Sequence, residues 1–198
     1  MTGSYVLSPG APSPAPRRVS LEAYLQAEQE AEGKSEWVDG AVYAMPGVRP
    51  RHLYLENDLF GIVRGRLEGS GCTFFGSAVQ IWIPSLKVYT YPDGAIACPP
   101  VFAPELPTAA LTNPKVIFEI LSPGTEAYDR GAKFRRYRAL ESLEDYVLIS
   151  TSEPLVEVFS RPEWGIKTYE GLSSVAPIPS LGIEIPLAEL YAAALTVP

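Results

Sequence analysis

Residues 115–121, KVIFEIL, form an apolar run of strand length with an acid inside it. Side chains alternate across a strand, so Val116, Phe118 and Ile120 share one face of a sheet while Ile117, Glu119 and Leu121 share the other. A carboxylate carried into a core must find a cation or a donor, because burying it unpaired is costly or shifts its pKa. YTYPDGAIACPP, residues 89–100, sets the same condition. Its aromatic start reads as a strand, Pro92 then interrupts a ladder to which proline cannot donate, and Asp93 follows before a run of small apolar residues. A fold for this chain therefore has to offer something positive to both acids.

The remaining patterns are those of a mixed α/β (α+β) chain. Ser20 has N-cap chemistry for SLEAYLQAEQEAE, where Leu21, Tyr24 and Leu25 recur at helical spacing before Gly33. EWVDGAVYAM places two short strand arms around Asp39-Gly40, a hairpin turn signal. From Pro50 to about Leu67, the residues Leu55, Leu59 and Ile62 with Phe60, Val63 and Leu67 trace one broad stripe, as expected of an amphipathic helix packed on a sheet. CTFFG, AVQIWIP and then YPDGAIAC follow as strands. EAYDRGAKFRRYRAL, with Thr125 as its cap, predicts a helix that turns Ala127, Phe134 and Tyr137 inward and its basic residues mostly outward. DYVLIS, PLVEVFS and GIKTYE predict three further strands, and PLAELYAAAL a closing amphipathic segment. Residues 1–18, rich in Pro, Ser, Gly and Ala, are expected to be a disordered tail. Residues 19–198 are expected to form a single domain, since 198 residues suffice for one sizeable core and not for two.

Composition removes several function classes. No apolar run is long enough to span a bilayer and the amino terminus lacks the basic start of an export signal, so a cytoplasmic protein is expected. Cys72 and Cys98 stand outside any CxxC pair and are expected as buried free thiols. A single histidine, His52, excludes a multi-histidine metal site, and no GxSxG supplies the nucleophile of a Ser-His-Asp esterase. The net charge of −7 gives no overall attraction to nucleic acid, so any such binding needs a local basic patch. RGAKFRRYR supplies one. Arg130, Arg135, Arg136 and Arg138 are candidates for phosphate contact, a solvated face being the alternative.

Asp93 and Glu119 lie on consecutive strand-like elements, which tend to be spatial neighbours. Paired in register, their carboxylates converge and repel unless a divalent cation sits between them. Hard oxygen ligands with open positions suit Mg²⁺ or Mn²⁺, and the carbonyl of Ile120 is a further candidate ligand. Lys133, about two turns into the helix after Glu119, is the candidate to orient or polarise a nucleophile. An exposed ion pair with Asp129, four residues earlier, is its rival role. Glu36 is a possible third acid from the hairpin, and His52 a possible base, a capping or packing histidine being the alternative.

These residues carry a resemblance. EWVDGAVYAM, PRH with its helix, YPDGAI, and FEILSPGTEAYDRGAKFRRYR followed by SLEDYVLIS are similar to the Uma-type putative restriction endonuclease family within the PD-(D/E)XK nuclease superfamily, over roughly residues 20–170. ILSPGTEAYDRGAKF is its densest part. The resemblance implies a restriction-endonuclease-like mixed β-sheet flanked by helices, with an N-terminal helix and β-hairpin extension. It also implies a Mg²⁺-dependent phosphodiesterase site with DNA as the substrate class. Asp93 matches the PD acid and Glu119 the second acid. Leu121 stands where the superfamily keeps its lysine, which makes Lys133 a relocated substitute, and Ala78 stands where the family carries an acid. A DNA endonuclease is thus expected, with a homodimer as an analogy to enzymes that cut two strands. Ala78 and Leu121 keep a second reading open, a catalytically silent nuclease-fold module that binds nucleic acid or protein. A dimeric structural protein is a third.

Overall fold

The computed structural model describes residues 18–106 and 108–197. Most of the expected tail, residues 1–17, lies outside the described residues; Arg18 is described and forms an ion pair with Asp39 at 2.9 Å. Helix α1, Leu21–Glu30, starts as its sequence predicts, with Ser20 Oγ accepting from the Ala23 amide at 3.2 Å. The hairpin follows, β1 (Ser35–Val38) and β2 (Ala41–Ala44), and turns on Asp39 and Gly40 at φ 43° and 93°. Asparagine, aspartate and glycine are the residues that tolerate such left-handed turns. Helix α2, Pro50–Arg66, buries Leu55, Leu59, Ile62 and Val63, with Leu67 beyond its end, and leaves Phe60 at its exposed edge.

Two mixed sheets carry the rest. The larger contains, from edge to edge, β11 (Gly165–Glu170), β10 (Leu155–Ser160), β9 (Asp145–Ser150), β8 (Val116–Leu121), β6 (Gly94–Ala97) and β3 (Thr73–Gly76). Only its β8–β9 pair is parallel. The smaller runs β2, β1, β5 (Val88–Thr90), β4 (Gln80–Ile83) and β7 (Ala110–Leu111). A separate hairpin, β12 (Val175–Ile178) with β13 (Ile183–Pro186), precedes α5, Leu187–Leu190. The crossover between the parallel strands holds α3 (Glu126–Tyr128), a π-helical turn (Asp129–Lys133) and α4 (Phe134–Tyr137). No helix among the described residues is long and apolar enough to cross a membrane.

The alternation along β8 decides the layering. Val116, Phe118 and Ile120 pack with α2, α5 and the β12–β13 hairpin, while Ile117 and Leu121 pack with Phe134 and Tyr137 and with Ile81, Ile83 and Val88 of the smaller sheet. The smaller sheet covers its own far face with Tyr24 and Leu25 of α1 against Trp37, Trp82 and Tyr89. Each fully buried aliphatic side chain of this kind contributes about 1.5–3 kcal/mol. Glu119 therefore points between the two sheets.

The structure corrects three expectations. YPDGAIAC, residues 91–98, is not one strand: β5 ends at Thr90 in the smaller sheet, β6 begins at Gly94 in the larger, and Tyr91, Pro92 and Asp93 carry the chain between them. The missing amide of proline falls where the ladder changes sheets. Cys72 and Cys98 are not free thiols but a disulfide. The antiparallel register that pairs Thr73 with Ala97 sets Cys72 and Cys98, just beyond β3 and β6, opposite one another, a proximity that spacing along the chain does not reveal. Ala127 is exposed, because the π-helical turn shifts the helical phase after α3, and the inward positions are taken by Asp129 and Lys133.

Candidate functional site

Asp93 and Glu119 meet as opposite residues. In the antiparallel β6–β8 pair Gly94 faces Phe118, so the residues one step beyond, Asp93 and Glu119, are the next opposed pair. Gly94 is required there: a Cβ would stand 2.8 Å from Cζ of Phe74. Asp93 Oδ2 accepts the Ile120 amide at 2.6 Å, and Oδ1 lies 3.2 Å from His52 Nε2, which the first turns of α2 deliver. Asp93 keeps some solvent access, its side chain 16% exposed, whereas Glu119 and His52 are buried.

Lys133 closes the arrangement from the π-helical turn. Its Nζ donates to the Tyr91 carbonyl at 2.9 Å and lies 2.9 Å from Glu119 Oε1, 3.6 Å from Glu36 Oε1 and 3.8 Å from Asp129 Oδ1. The exposed ion pair with Asp129 that helical spacing suggests is thus a buried one, since both side chains are nearly inaccessible. Glu36, the hairpin acid, also reaches this centre. Its carboxylate accepts from Thr90 Oγ1 and, at 2.6 Å, from Tyr128, whose hydroxyl in turn receives Arg136 Nη1 at 2.5 Å. The widened turn is tied down by Tyr146, which donates to the Asp129 carbonyl at 2.9 Å. Single π-helical turns of this kind recur at functional sites.

The electrostatics follow from burial and crowding. Burial pushes the Glu119 carboxyl well above the usual carboxylate range; Asp129 and Asp93 add to this and the Lys133 ammonium opposes it. Asp129 is raised for the same leading reason, again against Lys133. Burial alone would lower Lys133, but the fields of Glu119, Glu36, Asp129 and Asp93 outweigh it and hold the ammonium protonated. His52 is likewise raised on balance, its burial outweighed by the Asp93 bond. Four carboxyl groups surround one ammonium and one imidazole, so acids outnumber the basic groups here.

This surplus of hard oxygen donors suits a divalent cation, with Glu119 Oε1 already facing the Lys133 ammonium at 2.9 Å. No three His, Cys, Asp or Glu side chains converge to hold an ion by themselves among the described residues. A Mg²⁺-like ion would complete its shell with water and backbone carbonyls, as such ions commonly do.

Sequence reasoning brought Asp93, Glu119, Lys133, Glu36 and His52 forward, and all five are in one cluster. It passed over Asp129 and Tyr128. The spacing of Asp129 to Lys133 was a signal, but helical spacing does not say which face is buried. The arginines do not share one face. Arg130 is occupied by Glu126 at 2.7 Å and by Glu157, Arg136 lies against Tyr128, and Arg135 and Arg138 point elsewhere and are exposed. Of the two departures from the expected pattern, Ala78 is exposed on the β3–β4 turn and Leu121 is buried between the sheets.

Comparison with known proteins agrees with this architecture. The Uma2 family model, described as putative restriction endonuclease, matches residues 21–188. The uncharacterized protein slr1290 of Synechocystis sp. is 34% identical over 187 residues, 93% of this chain and 95% of its own. A second protein of that organism, sll1609, is 33% identical over 127 residues, 64% of this chain and 71% of its own. The crystal structure of a putative nuclease belonging to DUF820 from Anabaena variabilis superposes with a TM-score of 0.68 at 17% identity, covering 89% of this chain and 99% of that one. At that identity the likeness concerns the fold, a restriction-endonuclease-like arrangement of mixed sheets flanked by helices.

Proposed function

Because the chain belongs to the Uma2 family of putative restriction endonucleases, we propose that it is a divalent-metal-dependent DNA endonuclease acting at Asp93 and Glu119. One observation carries the reading: the register of β6 against β8 opposes these two acids, and a buried lysine lies on one of them. Asp93, Glu119 and the Ile120 carbonyl would hold the ion. Bound there, Mg²⁺ or Mn²⁺ supplies Lewis-acid polarisation of a phosphoryl oxygen and a water of lowered pKa. In the hydrolysis a water oxygen bonds to phosphorus and gives up a proton to solvent, the ester P–O bond breaks, and the leaving sugar oxygen takes up a proton from solvent.

The side chains have separate tasks. Asp93, the most accessible of the acids, marks the side from which DNA enters. His52 and the Ile120 amide hold its two oxygens in fixed directions. Lys133 keeps its proton and offers a fixed positive charge toward the negative charge that grows in phosphoryl transfer. Glu36 and Asp129 balance that ammonium before substrate arrives, and Tyr128 holds Glu36. Nicking of supercoiled plasmid in Mg²⁺ tests the reading: chelator and Asp93→Asn should each abolish it, and an unchanged rate in the variant refutes it.

A second reading is favoured by how completely the site satisfies itself. Both oxygens of Asp93 are already engaged by protein, and Ala78 contributes no carboxylate. On that reading the protein binds nucleic acid or a protein partner without cutting. Titration calorimetry separates the two, because the silent module gives no heat with Mn²⁺ while retaining affinity for DNA.

A further inference from the structure

The acidic site does nothing to attract a polyanion, and the whole chain carries a charge of −7. A basic feature lies on the other side of the helix. At 100° per residue, Arg135 and Arg138 stand about 200° and about 140° around the helix from Lys133, so both turn away from the site. With Arg161, Leu86 and Trp164 they line an open cleft between α4 and the β10–β11 turn.

The cleft is built. Trp164 packs edge-on against Phe134 at 5.4 Å, and Phe134 stacks on the buried Tyr146 at 4.6 Å. The Arg138 and Arg161 guanidinium carbons sit 5.6 and 5.1 Å from the Trp164 ring centroid. Arg161 is further fixed by the carbonyls after α4: Nε donates to Leu143, and Nη2 to Leu140 at 2.9 Å and to Arg138 at 3.3 Å. These bonds leave its Nη1 without a partner among the described residues.

A purely structural role accounts for the Arg161 bonds and for the Arg138 stem on the aromatic rings. It does not account for three cations in one cleft. Among the described residues Arg135, Arg138 and Arg161 form no ion pair, as is true also of Arg49, Arg51, Arg64 and Arg136, and these three line one cleft. Glu163, at the same turn, is exposed and pairs with none of them. Like charges held this close repel, and an anion relieves them. Planar guanidinium forks match phosphate oxygens in geometry as well as charge.

We propose that the cleft of Arg135, Arg138, Arg161 and Trp164 is a second DNA contact, which holds backbone phosphates outside the cleavage site. This rests on the endonuclease reading only for the identity of the polyanion. Contacts to phosphate position DNA without reading its sequence, so the cleft supplies affinity and not specificity.

Fluorescence anisotropy of a short labelled duplex, titrated with the full chain in the presence of chelator, measures binding without cleavage. The Arg135→Gln/Arg138→Gln variant should lose about tenfold or more in affinity at ~0.1 M salt, and its plot of log affinity against log salt should flatten by about two units, at about 0.9 per phosphate contact. Arg138→Lys, which keeps the charge, should keep the slope. Thermal melts matching the parent protein show that the variants fold. Unchanged affinity and slope in the double variant overturn the proposal, as does displacement of the duplex by poly-glutamate at equal charge concentration, which would make the site one for acidic protein. Nicking of supercoiled plasmid by the parent protein in Mg²⁺, measured apart from binding, separates this from the cleavage reading. A protein that never nicks but loses slope in the double variant disproves cleavage alone. Intact nicking with an unchanged slope disproves the cleft alone.

Discussion

Lys133→Met exposes the balance of charge on which the site depends. The ammonium lies 2.9 Å from Glu119, 3.6 Å from Glu36 and 3.8 Å from Asp129, all of them buried. At an effective dielectric constant of about 20, the Glu119 contact alone corresponds to roughly 6 kcal/mol of Coulomb attraction, which desolvation of both partners offsets in part. Removing one member of such a buried pair costs about 3–5 kcal/mol. The protein should remain folded, since total stability is typically about 5–15 kcal/mol. The sign of the pH dependence follows from Glu119 and Asp129, whose carboxyls burial already raises and Lys133 restrains. Without Lys133 they rise further. A carboxyl raised above its unfolded value contributes stability that is complete below the unfolded pKa and is lost as pH rises through the folded one. Urea denaturation should therefore show a small deficit for Lys133→Met near pH 5 and the full deficit near pH 8, against about 4.3 for an unfolded glutamate. Millimolar Mg²⁺ should restore part of the loss at the upper end by mass action. A deficit of equal size across that range, or none, would refute the claim that the lysine neutralises these acids.

Other outcomes follow from single contacts. Tyr128→Phe removes the hydroxyl between Arg136 and Glu36 and should cost about 1 kcal/mol in chemical denaturation, with a larger loss of nicking rate than of DNA affinity. Reduction, or Cys72→Ser with Cys98→Ser, opens a link across 26 residues and should cost about 3 kcal/mol, seen as a lower melting temperature that reductant does not change further in the double variant. Gly94→Ala drives a methyl group toward Phe74 and should destabilise by about 1–3 kcal/mol, visible as a shifted denaturation midpoint with an unchanged m-value.

Much of the site was legible because burial of charge leaves a local signature. Glu119 sits in a run where every neighbour is apolar, and Asp93 follows a proline that interrupts a strand, so each announces itself without a partner in view. The hairpin at Asp39-Gly40 and the stripe of α2 were legible for the same reason, since turn chemistry and helical period are properties of short segments. Asp129 was not, because one helical spacing serves a solvated pair and a buried one equally. Nor was Cys72, whose partner is chosen by strand register.

The order of residues determined most of the segments that become strands and helices, which acids enter the core, and that those acids need a cation or a donor. Tertiary structure decided what stands opposite what. The change of sheets at Pro92, the pairing of β6 with β8 and the π-helical turn bring Asp93, Glu119, Glu36, Asp129 and Lys133 together. The same packing divides five basic residues of one short segment between a buried ammonium, a neutralised Arg130, an Arg136 held on Tyr128 and an open cleft. Local preferences act over a few residues through backbone sterics and hydrogen bonds, whereas these placements arise from contacts between segments distant along the chain, where only the folded packing sets distance and exposure.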